Sequence, residues 1–137
     1  MAFSIRRVDY YYTSVKDEPG AAYRILSHLA GLGVNLLAFT AVPTGPTRAQ
    51  LAIFPEIDGK LTSAARQAGL VLDGPHPALL AQGDDALGSL ASVHERLFQA
   101  DINVYASSGV TDGRGGFGYV VYVREDQFER AASALGV

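Results

Sequence analysis

The amino-acid sequence predicts an α+β protein built from two copies of a βαββαβ unit, with antiparallel sheets and the helices on one face. Three observations lead there. An offset of 68 residues carries Gly20 onto Gly88 and Asn35 onto Asn103. The same offset aligns Asp17 with Asp85, Leu29 with Leu97, Ala38 with Ala106, Val42 with Val110 and Gly45 with Gly113, without a gap between residues 15 and 54. Strand and helix signals then fall in the same order in both copies, which gives weight to identities too sparse to decide anything alone.

In the first copy, residues 8–15 (VDYYYTSV) are β-branched and aromatic, which predicts a strand. Asp17-Glu18-Pro19-Gly20 breaks it, and Pro19 suits a first helical turn. Apolar residues at 22, 25, 26, 29 and 32 follow helical spacing until Gly31 and Gly33 end the helix. Residues 34–42 and 48–54 read as strands around a turn at 43–46. Leu61, Ala64, Ala65 and Ala68 mark a second helix, and residues 70–72 a short fourth strand. This is the order of a ferredoxin-like unit.

The second copy repeats the order. Residues 78–82 read as a strand, and Asp84-Asp85 opens a helix with apolar residues at 87, 90, 93, 97 and 98. Residues 102–110 and 117–123 read as strands around a Gly-rich turn, and Phe128, Ala131, Ala132 and Leu135 line a last helix. A fourth strand is missing. Either a neighbouring element covers the first strand of this copy, or that edge is left for a partner, since open sheet edges are rare; the second option makes a homodimer the expected assembly. The division falls at residues 1–74 and 75–137. Each copy is small enough that its own core is marginal, and Gly74-Pro75-His76-Pro77 reads as a short, stiff linker, so one cooperative body is expected.

Composition narrows the function. Of 137 residues 48% are hydrophobic and 18% charged, as in ordinary globular proteins. With net charge −3 and no basic stripe, a nucleic-acid partner is not expected. The absence of cysteine excludes disulfides, thiol catalysis and thiolate metal sites. No apolar run approaches the ~18–20 residues of a membrane helix. The first twelve residues have no signal-peptide pattern, so a cytoplasmic protein is expected.

Few motifs carry chemistry. Residues 113–118 (GRGGFG) fit G-x-G-x-x-G, but a dinucleotide loop opens a helix and this motif precedes the strand-like 119–123 (YVVYV); a hairpin turn explains it better. His28, His76 and His94 have no metal-ligand spacing, and no cofactor is implied. Ser107 and Ser108 fall within a strand and no triad pattern surrounds them. The acidic pairs Asp17-Glu18 and Asp84-Asp85 fall at matching strand-to-helix turns. Helix capping is the simpler explanation. The functional one uses the same geometry: helix amides receive a carboxylate while acidic groups hold an ammonium, the two ends of an amino acid. Asn35 and Asn103 offer a donor and an acceptor each, although Asn also suits the left-handed step after a helix.

At these residues the chain resembles the ACT-domain family, twice. Asp17-Glu18-Pro19-Gly20 with Gly33-Val34-Asn35-Leu36 carries the first resemblance, and Asp85-Ala86-Leu87-Gly88 with Asp101-Ile102-Asn103-Val104 the second. The second departs from the family pattern at Leu87, where Pro is usual, and at Asp101, where Gly is usual. The resemblance implies a regulatory fold that binds amino acids or similar small ligands where two units meet. One site would then use Asp17, Pro19, Gly20 and Ala21 beside Asn103 and Val104; the other would use Asp85, Leu87, Gly88 and Ser89 beside Asn35 and Leu36. The first is the better match, because the second has lost its proline. It also implies no catalytic role, with output through a partner protein such as a regulated enzyme. Two other readings stay open: a small cofactor-free enzyme drawing on Tyr10, Tyr12, Tyr119, Tyr122 and the histidines, and a ligand-free interaction module.

Overall fold

A computed structural model describes residues 3–137. In chain order the elements are β1 (Phe3–Lys16), α1 (Ala21–Gly31), β2 (Leu36–Pro43), β3 (Arg48–Pro55), α2 (Asp58–Ala68), β4 (Asp73–Asp84), α3 (Ser89–Gln99), β5 (Ala106–Thr111), β6 (Gly116–Tyr122) and α4 (Phe128–Ala134). The strands form an antiparallel six-stranded sheet in the order β2-β3-β1-β4-β6-β5. The α+β class and the two ferredoxin-like repeats are as expected.

The chain divides into two compact units, and both long strands are cut by the division. The first unit is Asp9–His76. Tyr11 pairs with Ile53 and Thr13 with Leu51, so alternation turns these residues to one face. Leu29 of α1 with Leu61 and Ala64 of α2 close over that face, and Tyr11, Val34, Leu51 and Ile53 complete the cluster. The spacing 61, 64, 65 is one helical stripe, and all three residues are buried.

The second unit joins residues 3–8 to Pro77–Val137. Leu79 pairs with Val121 and Ala81 with Tyr119, and their shared face packs on Val93 and Leu97 of α3 and Phe128, Ala131 and Ala132 of α4. Burying a Leu or Val side chain of this kind contributes about 1.5–3 kcal/mol. Phe3 and Ile5 of β1 pack against the same cluster. Arg7 anchors their strand: its guanidinium lies over the Phe128 ring, meets Glu129 at 3.0 Å and donates to the Val137 carbonyl at 3.1 Å.

Several expectations are corrected. The second copy has no fourth strand of its own, and β1 occupies that edge of β4. Its first half belongs to the second unit, so of the two alternatives for that edge it is a covering element of the same chain that is found. Residues 70–72 are not a strand, and the supposed linker, residues 74–77, lies inside β4. Its first four residues finish the first unit and the rest begin the second. Both helices after the acidic turns start later than their signals suggest, because Gly20 and Gly88 adopt left-handed φ of 86° and hold the N-cap. Leu87 therefore lies outside α3 and is fully exposed, and Phe98, on the helical stripe by spacing, points outward.

Candidate functional site

The two acidic turns share one backbone design. Asp17 N–H donates to Thr47 O at 2.9 Å, and Asp85 N–H to Gly115 O at 2.7 Å, at positions related by the 68-residue offset. Ala21 N–H to Glu18 O and Ser89 N–H to Ala86 O form a second matched pair. Each turn is thus tied to the following hairpin of its own unit. Neither helix has a side-chain cap or an acidic residue in its first turn, so Asp17 and Asp85 do not serve as caps. The first-turn amides have no acceptor within a helix, and the N-terminal end carries about half a positive charge.

The turns differ in what surrounds them. In the first unit the Arg24 guanidinium pairs with Glu18 at 3.2 Å. Its Nη1 comes within 3.2 Å of where a Cβ on Gly20 would stand. In the second unit Ser92 and Ala86 replace this pair. There an open cavity of about 410 Å³ is formed by residues 85–91, by residues 109–111 of β5, and by Phe117 and Gly118 of β6. That volume lies within the usual range of small-ligand sites. Asp85, Leu87, Gly88 and Ser89, all named from the sequence, line it.

Ser89 occupies the position of Ala21 in the first copy. It is 4% exposed, and its Oγ is buried without a hydrogen-bond partner. An unsatisfied buried hydroxyl costs about 1–3 kcal/mol. The amides of Leu90 and Ala91, in the same uncapped first turn, belong to residues of the cavity wall. The hairpin opposite is held by Asp112, whose Oδ1 accepts the N–H of Arg114 at 2.7 Å and of Gly116 at 3.0 Å. These two bonds lower the Asp112 pKa. The G-x-G-x-x-G segment is therefore a turn between strands, as its sequence context implies.

The asparagines lie elsewhere in their units. Asn35 donates to Glu56 Oε2 at 3.1 Å, at the end of β2 that pairs with Pro55. The 11-residue helix α1, about 16 Å long, separates it from its own acidic turn. Asn103 is exposed and precedes β5, while Leu36 and Val104 pack against the cores of their respective units. Left-handed backbone after the helices falls on Gly33 and Asp101, not on the asparagines. Sequence reasoning missed the strand side of the cavity, Gly109 to Thr111 with Phe117 and Gly118. The signal was present: the turn and the hairpin after the next helix meet at one end of any βαβ-hairpin unit.

His94 Nε2 and Tyr119 Oη meet at 2.5 Å, but neither residue lines this cavity. Tyr10, Tyr12 and His76 form an aromatic cluster in the first unit, with the two hydroxyls 3.0 Å apart. Among the described residues, no three His, Asp or Glu side chains gather as a metal site. No described helix is long and apolar enough to cross a membrane.

No protein-family model matches the chain, and no curated protein does. Solved structures do resemble it. Protein BT0572 from Bacteroides thetaiotaomicron matches with a TM-score of 0.80 at 12% identity, over 96% of this chain and 88% of that one. The regulatory subunit of aspartate kinase from Thermus thermophilus, in its ligand-free form, matches at 0.63 and 15% identity, over 98% and 95%. The Thermus flavus regulatory subunit matches at 0.61 and 14%, over the same shares. At such identities the likeness concerns the fold, and the fold of this chain is ACT-like.

Proposed function

We propose that the chain is a non-catalytic regulatory or sensor protein of the tandem ACT type, binding an amino acid or similar small metabolite and acting through a partner protein. The observation that carries this reading is the cavity over the uncapped start of α3, with the unpartnered Ser89 hydroxyl in its wall. The first-turn amides of α3 suit a carboxylate, and Asp85 suits an ammonium. Rotation about χ1 of Ser89, between staggered wells, gives its hydroxyl a ligand acceptor. Regulatory subunits of aspartate kinase share this fold and fit the same reading.

A thermal-shift panel of the twenty amino acids, nucleotides and common metabolites tests it. A ligand at a hundredfold excess over its Kd adds about 2.7 kcal/mol, on the order of 10 °C in Tm for a chain of this size. A shift that Ser89→Ala diminishes is the expected result. No shift with any compound, together with recovery of one stable partner protein, would instead identify a ligand-free interaction module.

A further inference from the structure

We infer that the α3 cavity selects an amino acid with an aliphatic side chain, and that Leu87 is the residue that selects it. The inference rests on reading this cavity as a small-ligand site, and adds the chemistry of the ligand's third arm.

Charge comes first. Asp85 is the one ionisable side chain in the wall, and no Lys, Arg or His lines it. The start of α3 supplies roughly half a positive charge, enough for one carboxylate and no more. A second anionic group, as in aspartate, glutamate or a phosphate ester, would meet Asp85 without a counter-charge. The ligand is therefore a zwitterion whose side chain is uncharged or cationic.

The mouth decides between those two. Leu87 is completely exposed, Val110 is 74% exposed and Leu90 is 42% exposed, and all three line the cavity. Exposed aliphatic residues are ordinary when scattered, whereas a cluster around a concave site marks an apolar contact. In the first copy the residues at the three equivalent positions are Pro19, Ala22 and Val42. Two of the three are therefore larger aliphatics in the copy that holds this cavity and the unpartnered Ser89. An aliphatic ligand side chain would remove this cluster from water, at a gain of roughly fourfold in affinity per CH₂.

Isothermal titration of the full chain decides the matter, using L-leucine, L-valine, L-alanine and L-aspartate. 4-Methylpentanoate and isoamylamine, which lack the amine and the carboxylate respectively, complete the set. L-leucine is expected to bind roughly 50-fold more tightly than L-alanine, which is three carbons smaller. L-aspartate is expected to give no binding, and each deletion analogue to lose at least about tenfold. Leu87→Ser should cost L-leucine about tenfold and L-alanine much less; Leu87 is exposed, so the variant keeps its fold. Equal affinity for L-leucine and L-alanine, binding of L-aspartate, or indifference of L-leucine to L87S would overturn the inference. Suppose that a different compound from the metabolite panel shifts the wild type but not S89A, while L-leucine does nothing. The side-chain assignment then fails and the sensor reading stands. Silence from every compound sinks both.

Discussion

Ser89 and Asp9 each hold a polar group in a setting that costs folding energy. Removing the Ser89 hydroxyl relieves an unsatisfied buried group, so Ser89→Ala should stabilise the ligand-free protein by about 1 kcal/mol in urea denaturation, while weakening ligand binding. An alanine that both destabilised the fold and left binding intact would point to a structural hydroxyl. Asp9 of β1 has its pKa raised, first by burial and then by the hydrogen bond and charge of Asp58 at the start of α2. A raised carboxylate holds its proton more tightly in the folded state than in the unfolded chain. Its stabilising contribution is therefore present below the ordinary carboxylate pKa and is lost as pH rises through the raised value. Asp9→Asn should accordingly flatten the pH dependence across that window and leave the protein more stable at neutral pH. Equal slopes for variant and wild type in a denaturation series from pH 3 to 8 would contradict this. Neither setting was legible in the sequence, since burial of Ser89 and the approach of Asp9 to Asp58 follow only from folding.

Among the elements, helices α2 and α4 were the most legible. Leu61, Ala64 and Ala65, and Phe128, Ala131 and Ala132, are buried on single helical stripes as their spacing requires. The starts of α1 and α3 were misread for a physical reason. Acidic residues and Pro19 ordinarily announce a first turn, yet left-handed Gly20 and Gly88 delay it, and that same delay leaves the α3 amides uncapped. Strand β4 was hidden by Gly74, Pro75 and Pro77, which resemble a linker. Gly74 shows why the glycine is needed there. Its φ is +150°, and a Cβ would come within 2.8 Å of the Tyr11 ring and 2.9 Å of the Tyr10 carbonyl. Gly74→Ala should cost about 1–3 kcal/mol as an overpacking change, and a variant with wild-type Tm would show that the strand adjusts freely.

At the scale of the whole chain, the repeat is closed by a strand the 68-residue offset could not reveal. Residues 3–8 fall within the first copy by sequence but belong to the second unit, where Phe3 and Ile5 pack on its core and Arg7 reaches Val137. The strand read from the sequence began only at residue 8, and the partners of Phe3 and Arg7 lay more than a hundred residues away. Deleting residues 1–8 should therefore loosen the second unit first. Hydrogen exchange is expected to show α3, α4, β5 and β6 losing protection before α1 and α2 do. Uniform loss across both units would mean that they unfold as one. The proposed function depends on where the ligand lies. The most direct measurement is an amide NMR titration of the full chain with L-leucine. The largest shifts are predicted at the backbone N–H groups of Leu90 and Ala91, with smaller ones at Gly109 to Thr111. Shifts centred instead on Gly20 to Tyr23 of the first turn would contradict it, whereas none at either turn would remove only the choice of L-leucine.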